Sequence, residues 1–235
     1  MNILLEKSVV QIAEQVSRFE RTRQWQNYSE DELWREFIAC NLGSRVKFEL
    51  TKATISYLDS RGILKYCRTE FNNTDLERVI SDSLRQPLTV EIAGRCIRRK
   101  YPFHNLKARH ITRTAVSIYG SGTSLVKILK MGRDPLETRN LLVSKSVGIG
   151  PKQASLFLRN IGYCTDLAVL DVHVLRYMSF VGLLPSIIKT VQNIRQYEML
   201  ENLLRAYSYK LSLSMGTLDI SIWIVMRVAY KGGVA

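Results

Sequence analysis

A glycine-rich turn between two amphipathic stretches is the feature of this chain that most restricts its fold. The turn is Val147-Gly148-Ile149-Gly150, and Pro151 follows it at the first position of the second stretch, where a fixed φ and a missing N–H suit a helix start. The two glycines allow a tight turn, and Ile149 between them is expected to anchor it in the core. Residues 136–162 therefore predict a helix-hairpin-helix, whose free amides at a helix N-terminus would bind a phosphate.

Most of the remaining sequence also has helical periodicity. Apolar residues in 2–19 follow a helical stripe, and Ser29 ahead of three acidic residues is a typical helix N-cap. Few β-branched alternating runs occur, which argues against a sheet. The fold class predicted is all-α, with two helical lobes joined through the helix-hairpin-helix and an active site in the cleft between them. Further helices are expected over residues 75–85, 88–98, 105–119 and 122–131.

The predicted domain organisation has four parts. The chain contains no internal repeat and no low-complexity linker, so two lobes would share an interface rather than a tether. The parts are an N-terminal helix packing with the C-terminal lobe (1–30), a helical lobe (31–135), the helix-hairpin-helix (136–162) and a C-terminal helical lobe carrying the catalytic aspartate (163–235).

The charge balance favours a nucleic-acid partner. Lys and Arg number 34 against 21 Asp and Glu, which gives a formal net charge of +13, and a surplus of this kind points to a polyanion. Charge alone leaves open DNA or RNA, and enzyme or binding protein. No stretch approaches the ~18 apolar residues of a membrane span, and Glu6, Lys7 and Glu14 indicate an amphipathic helix rather than a secretory signal at the N-terminus. We therefore expect no membrane partner and a cytoplasmic location, nucleoid-associated in a prokaryote.

The cysteines give no sign of a metal site. Ligands of zinc and iron-sulfur centres are usually clustered in sequence, whereas these cysteines are far apart. Buried free thiols in a reducing compartment are the expected state, and no metal is predicted. The four are Cys40, Cys67, Cys96 and Cys164.

Lys152 and Asp171 are the candidate catalytic residues. Lys152 lies in the first turn of the second helix of the hairpin motif, where the positive end of the helix dipole disfavours an ammonium and favours the neutral, nucleophilic amine. Asp171 follows by 19 residues, a gap that accommodates one helix, a turn at Gly162 and a return towards the lysine. Two plainer interpretations stay open, in which Lys152 only contacts a phosphate and Asp171 only caps the next helix.

These residues resemble the signature of the HhH-GPD superfamily of DNA glycosylases. The resemblance lies in Gly148–Ala154 and in Leu170–Val174, and a lysine at position 152 is similar to the members that join base excision to strand cleavage. The resemblance assigns catalysis to Lys152 and Asp171. It also implies DNA contacts, among which a residue of the 43–45 turn would fill the gap left by a flipped base. The DNA-binding candidates are Gly148, Ile149, Gly150, Gln153, Arg45, Lys107 and His173.

Flanking segments resemble the compact Ogg2-type 8-oxoguanine glycosylases. Residues 101–109 and 218–223 match stretches of that type, and the helix before Arg45 looks like its early helix. The endonuclease-III branch, which carries a C-terminal iron-sulfur cluster, fits poorly because no cysteine follows Cys164. Whether Lys231 replaces the C-terminal recognition lysine of the type is open. Aromatic faces stack on bases, and the base-pocket candidates are Phe37, Phe103, Asp219 and Trp223, with Tyr230 as a further aromatic wall.

The sequence thus predicts a bifunctional DNA glycosylase and AP lyase. It would flip and excise an 8-oxoguanine-type purine from duplex DNA through a Lys152 Schiff base, as a monomer and with no cofactor. A glycosylase of the same fold acting on another base, including a modified base of phage DNA in defence, is the first alternative. A non-catalytic helix-hairpin-helix DNA-binding protein is the second, and an RNA-binding helical protein is the third.

Overall fold

Helices and one small sheet form the regular structure of residues 3–18, 24–92 and 94–231, the part of the chain that the computed structural model describes. The all-α class is therefore confirmed apart from this two-stranded sheet. A short 3-10 turn, Trp25–Asn27, precedes the second helix. The elements are α1 Ile3–Arg18, α2 Glu30–Leu42, α3 Phe48–Ser60, α4 Ile63–Thr69, α5 Leu76–Leu84, β1 Leu88–Ile92, β2 Arg95–Arg99, α6 His104–Tyr119, α7 Leu125–Met131, α8 Pro135–Ser144, α9 Pro151–Asn160, α10 Val172–Phe180, α11 Ile194–Lys210 and α12 Met215–Lys231.

The chain divides into two units. We call Gln26–Phe157 the central unit, and Met1–Trp25 together with Leu158–Ala235 the terminal unit. The division falls inside α9, so that Lys152 belongs to the central unit and Asp171 to the terminal unit.

The central unit has an aromatic core on α2. Trp34 and Phe37 are fully buried, and the ring of Phe37 meets that of Phe157 edge-on at 5.0 Å. The indole N–H of Trp34 donates to the carbonyl of Leu64 (3.0 Å), which satisfies its polar atom inside the core. As predicted, Ser29 caps α2, and the side chain of its N3 residue Glu32 completes a capping box.

The helix predicted over residues 88–98 is wrong, because this segment forms the antiparallel pair β1 and β2. Val90 lies opposite Ile97 in the register, and Val90 is buried where β1 packs against α3. Gly94 at the connection has φ +75°, a backbone conformation that suits a hairpin turn. Alternating β-branched residues and this glycine favour a pair of strands over a helix.

The terminal unit packs α1 along α12. Val9 and Ala13 of α1 are fully buried, which gives the helix its apolar contact face. The Tyr207 hydroxyl donates to the Glu6 carboxylate (2.7 Å) and lies 3.0 Å from the Tyr177 hydroxyl. This chain of hydrogen bonds fixes α1 to α10 and α11.

No single described helix is long and apolar enough to cross a bilayer. Only α11 and α12 taken together have the length and apolar composition of a span, and they are bent by 96° relative to each other.

Candidate active site

The predicted helix-hairpin-helix is present as α8, a tight turn and α9. Ile149 is 5% exposed and anchors the turn as expected. The backbone of Val147 anchors the start of the turn. Its N–H donates to the Thr114 hydroxyl (2.9 Å), and its carbonyl accepts from the Asn41 amide (3.2 Å). The turn is therefore fixed to α2 and α6 before any ligand binds.

Gly148 cannot carry a side chain in this turn. Its φ is +73°, and an added Cβ would lie 1.9 Å from Nδ1 of His110. Burial, followed by the cations of Lys107, Arg109 and Arg113, lowers the pKa of His110, so a neutral imidazole packs against the turn near pH 7. His110 thus packs against Gly148. This contact could not be predicted from the sequence, because no local sequence pattern links the two residues.

The hairpin offers backbone donors at the start of α9. Among the described residues, the N–H groups of Gly148 and Ile149 have no hydrogen-bond partner, and neither do the first-turn amides of α9, as at any helix N-terminus. Gly150 differs from the prediction, because its N–H donates to the Gln153 side chain (3.2 Å). The remaining amides still form a phosphate-sized group of donors with the helix dipole behind them.

Gln153 serves the protein itself rather than standing free for DNA. It lies at position N3 of α9, and its carbonyl oxygen accepts from Gly150 as in a capping box. Its amide donates to the Ser44 hydroxyl (3.3 Å), which joins the hairpin to the turn that carries Arg45. The Gln153 side chain therefore positions both loops, and its predicted DNA contact stays a prediction.

Lys152 lies where the sequence placed it, in the first turn of α9. It is half-buried, and within the described part of the chain no hydrogen bond or ion pair engages its amine. A half-buried amine without a carboxylate partner is suited to act as a nucleophile.

Asp171 is the N-cap of α10. One carboxylate oxygen, Oδ1, accepts from the N–H groups of His173 (2.8 Å) and Val174 (2.9 Å). Oδ2 has no partner among the described residues. The capping role is thus confirmed, and it leaves one oxygen of the carboxylate for a second role.

Lys107 differs from its predicted place on the DNA-binding surface. It is 5% exposed, and its Nζ donates to the carbonyl of Asn41 (2.5 Å) near the C-terminus of α2, where a cation complements the helix dipole. Burial, and secondly the charge of Arg45, lowers the pKa of Lys107 to about 8. The apolar stem and the Asn41 carbonyl together draw this lysine inward, and its predicted DNA contact stays a prediction.

Arg45 lies in the α2–α3 turn, as expected from the sequence. Its φ is +62°, which is uncommon for a residue with a side chain and tends to occur at functional loops. The turn is held from behind by the Tyr101 hydroxyl, which donates to the carbonyl of Leu42 (2.5 Å). A rigid support beneath an exposed loop is suited to present Arg45 to a ligand.

Two base-pocket candidates are buried. Phe37 belongs to the aromatic core of the central unit, where its neighbours on α2 and α9 enclose it fully. Asp219 is 3% exposed and pairs with Arg159 (2.7 Å). Burial at these positions depends on tertiary contacts that the motif does not encode, and the base-pocket roles of both residues stay predictions.

The remaining candidates are partly exposed. Phe103 precedes α6, and Trp223 on α12 lies under the guanidinium of Arg227, 4.8 Å from the ring centroid. His173 is half-buried in the first turn of α10. The side chains of Tyr230 and Lys231 lie outside the described part of the chain. Among the residues that are described, no group of three or more His, Cys, Asp and Glu side chains is placed to hold a metal ion.

Comparisons with known proteins identify a family for this chain. Residues 75–213 match the family model Ogg-HhH, described as 8-oxoguanine DNA glycosylase, and this range contains the hairpin, Lys152 and Asp171. The 8-oxoguanine DNA glycosylase/AP lyase of Sulfolobus acidocaldarius is 30% identical over 199 residues, which are 84% of this chain and 83% of the relative.

Two solved structures share the fold. The crystal structure of the Methanocaldococcus jannaschii 8-oxoguanine DNA glycosylase has a TM-score of 0.69 at 23% identity and covers 99% of this chain and 95% of its own. That of Tm1821, the 8-oxoguanine DNA glycosylase of Thermotoga maritima, has a TM-score of 0.68 at 27% identity and covers 94% of each chain.

Proposed function

This chain belongs to the Ogg-HhH family of 8-oxoguanine DNA glycosylases, and from that membership we propose that it is a bifunctional DNA glycosylase and AP lyase. Its substrate is duplex DNA that contains an 8-oxoguanine-type base. It acts as a monomer in the cytoplasm, at the nucleoid in a prokaryote. It requires no metal or organic cofactor, because a lysine amine supplies the nucleophile.

The observation that carries the proposal is the position of Lys152. The amine is half-buried and lies one residue beyond a Gly-Ile-Gly-Pro turn, whose unpaired amides are donors for a DNA phosphate. A phosphate bound there brings the deoxyribose of a neighbouring nucleotide within reach of the same helix turn. Binding of the backbone and attack on the sugar are thus combined in one element.

Base excision follows from this arrangement in two stages. The nucleotide first leaves the stack at a cost of a few kcal/mol, and Arg45 on its rigid turn occupies the gap. The neutral amine of Lys152 then bonds to C1′ while the glycosidic C1′–N bond breaks, and the base leaves with the electron pair and takes up a proton. The carboxylate of Asp171, through the oxygen that does not cap α10, stabilises the positive charge that develops on the sugar.

Strand cleavage follows from the same covalent bond. The attacking amine has by then given one proton to the leaving base. The sugar ring opens at the C1′–O4′ bond, O4′ takes up the second amine proton, and the nitrogen forms a double bond to C1′, which gives a Schiff base between Lys152 and C1′. The imine acidifies the C2′ proton, and its removal expels the 3′ phosphate by β-elimination. Hydrolysis of the imine returns the free lysine.

A panel of duplexes tests the proposed substrate. Each duplex carries one modified base, among them 8-oxoguanine, an alkylated purine and a hydroxymethylated or glucosylated pyrimidine of the phage type. We expect release of free 8-oxoguanine, identified by mass spectrometry, and no release from the unmodified duplex. Release of another base alone would show that the enzyme acts on that base instead of 8-oxoguanine. Binding of the duplexes without release of any base would contradict the assignment as a glycosylase.

A further inference from the structure

The segment immediately before Asp171 is buried although it belongs to no helix or strand. Residues Leu167–Leu170 are each no more than 5% exposed, and the backbone there forms no regular ladder. Buried backbone N–H and C=O groups need partners. Three side chains of α11 and α12, all in the terminal unit, provide them.

Two of these side chains belong to α11. The carboxylate of Glu201 accepts from the N–H of Ala168 (2.8 Å). The hydroxyl of Tyr197 donates to the carbonyl of Ala168 (2.7 Å) and accepts from the N–H of Leu170 (3.4 Å). α11 thus holds the segment on both sides of Val169.

Asp219 of α12 holds Val169 itself. Its Oδ2 accepts from the N–H of Val169 (2.8 Å) and from a guanidinium N–H of Arg159 (2.7 Å). The carbonyl of Val169 accepts in turn from the N–H of Asp171 (2.7 Å). The hydrogen bonds therefore run from Arg159 through Asp219 and Val169 to the backbone of Asp171.

Burial of this ion pair has a desolvation cost that the attraction between the two charges often does not offset. The side chains of Arg159 and Asp219 are 15% and 4% exposed, and a buried pair is often no more stable than apolar residues of the same volume. A carboxylate, however, orients a backbone N–H more strongly than a neutral acceptor does. The ion pair is thus better explained by its orientation of the Val169 N–H than by a contribution to the stability of the fold.

We propose that Asp219 is a positioning residue for base excision, which acts through Val169 to fix the backbone that carries Asp171. The inference rests on the proposed function of Asp171. It also replaces the base-pocket role that the sequence suggested for Asp219. Arg159 is the second positioning residue, since its guanidinium pairs with the carboxylate and fixes its orientation.

Four variants separate positioning from stability. Asp219→Asn keeps an oxygen that accepts from Val169, whereas Asp219→Leu removes it and leaves the guanidinium unpaired. The double variant Arg159→Met/Asp219→Leu also lacks the acceptor but leaves no unpaired charge at this position, so it folds where the single Leu variant does not. Ser221→Ala is the matched control, because Ser221 is fully buried on the same helix and its hydroxyl donates to the carbonyl of Thr217 in that helix.

Single-turnover excision of 8-oxoguanine, DNA affinity and hydrogen exchange at Val169 and Asp171 are measured for each variant. We expect the double variant to excise about 10²-fold more slowly than wild type, as for a catalytic group displaced by ~1 Å, with DNA affinity unchanged and faster exchange at both amides. Asp219→Asn should retain most of the wild-type excision rate. Ser221→Ala should change neither the excision rate nor the amide exchange. A double variant with the full rate, or one whose two amides stay protected, contradicts the proposal.

The exchange measurement is independent of catalysis. If the wild-type protein releases no base from any duplex, the proposed function fails, while amide exchange still reports whether Asp219 holds the segment. If the wild type is active and the double variant is equally active, only the positioning inference fails.

Discussion

The two oxygens of the Asp171 carboxylate have different surroundings, and this difference is the basis of its proposed double role. Oδ1 accepts two first-turn N–H groups of α10, while Oδ2 has no partner in the described part of the chain. Capping and charge stabilisation therefore need not compete. Because asparagine and aspartate are equally good N-caps, substitution can separate the two roles.

Asp171→Asn is expected to slow base excision by about 10²–10³-fold, as for loss of one preorganised electrostatic contact in a transition state. Its melting temperature and DNA affinity should match the wild type. Asp171→Ala should lose the same activity and also about 1 kcal/mol of stability, a shift of about 2–4 °C for a chain of this size. Thermal melts and single-turnover kinetics decide, and an Asn variant that is destabilised but still excises at the full rate would assign Asp171 to capping alone.

The positions of residues that belong to a local sequence pattern could be predicted. The positions of residues that depend on tertiary packing could not. Lys152 and the N-cap Asp171 follow from a turn, a helix start and a spacing that the chain itself displays. Lys107 and Asp219 carry charges that usually mark a surface or a pocket, yet both are buried and paired. Their partners are distant in sequence, so no local pattern distinguishes the two outcomes.

At the scale of elements, the hairpin was predictable and the sheet was not. Gly-Ile-Gly-Pro determines a turn and a helix start by backbone geometry alone. The 88–98 segment contains both a helical and an alternating pattern, and such short apolar runs are ambiguous. The contact of β1 with α3, which the sequence does not reveal, decides in favour of the strands.

Gly148→Ala tests whether the hairpin is the phosphate site. The positive φ costs about 1 kcal/mol, and contact of the new Cβ with His110 adds about 1–3 kcal/mol of overpacking and shifts the turn. We expect a lower melting temperature and, through loss of hydrogen bonds to a charged phosphate, about 10-fold or greater weakening of DNA binding.

Gly122→Ala is the matched control for this substitution. Gly122 also has positive φ (+68°), but an added Cβ there meets nothing within 4 Å. It should therefore show the backbone cost alone, with DNA affinity unchanged. Equal losses of DNA affinity in the two variants would contradict a phosphate site at the hairpin.

At the scale of the whole molecule, charge, fold and family point to the same substrate class. A net charge of +13 favours a polyanion, the hairpin presents backbone donors of the kind that bind phosphate, and the family match covers the segment that carries both candidate catalytic residues. Charge and the hairpin fit a binding protein as well as an enzyme, whereas the family is one of DNA glycosylases. The proposed mechanism depends on one covalent bond, between Lys152 and the sugar.

Reductive trapping tests that bond directly. Sodium borohydride is added during reaction with a duplex that contains 8-oxoguanine, and the product is digested and mapped by mass spectrometry. The wild-type protein and Lys65→Gln, which changes an exposed lysine of α4, should form a covalent DNA adduct on the peptide that contains Lys152, and Lys152→Gln should form none. Release of the base by the wild type without any adduct, or an adduct of undiminished yield in Lys152→Gln, would contradict the account.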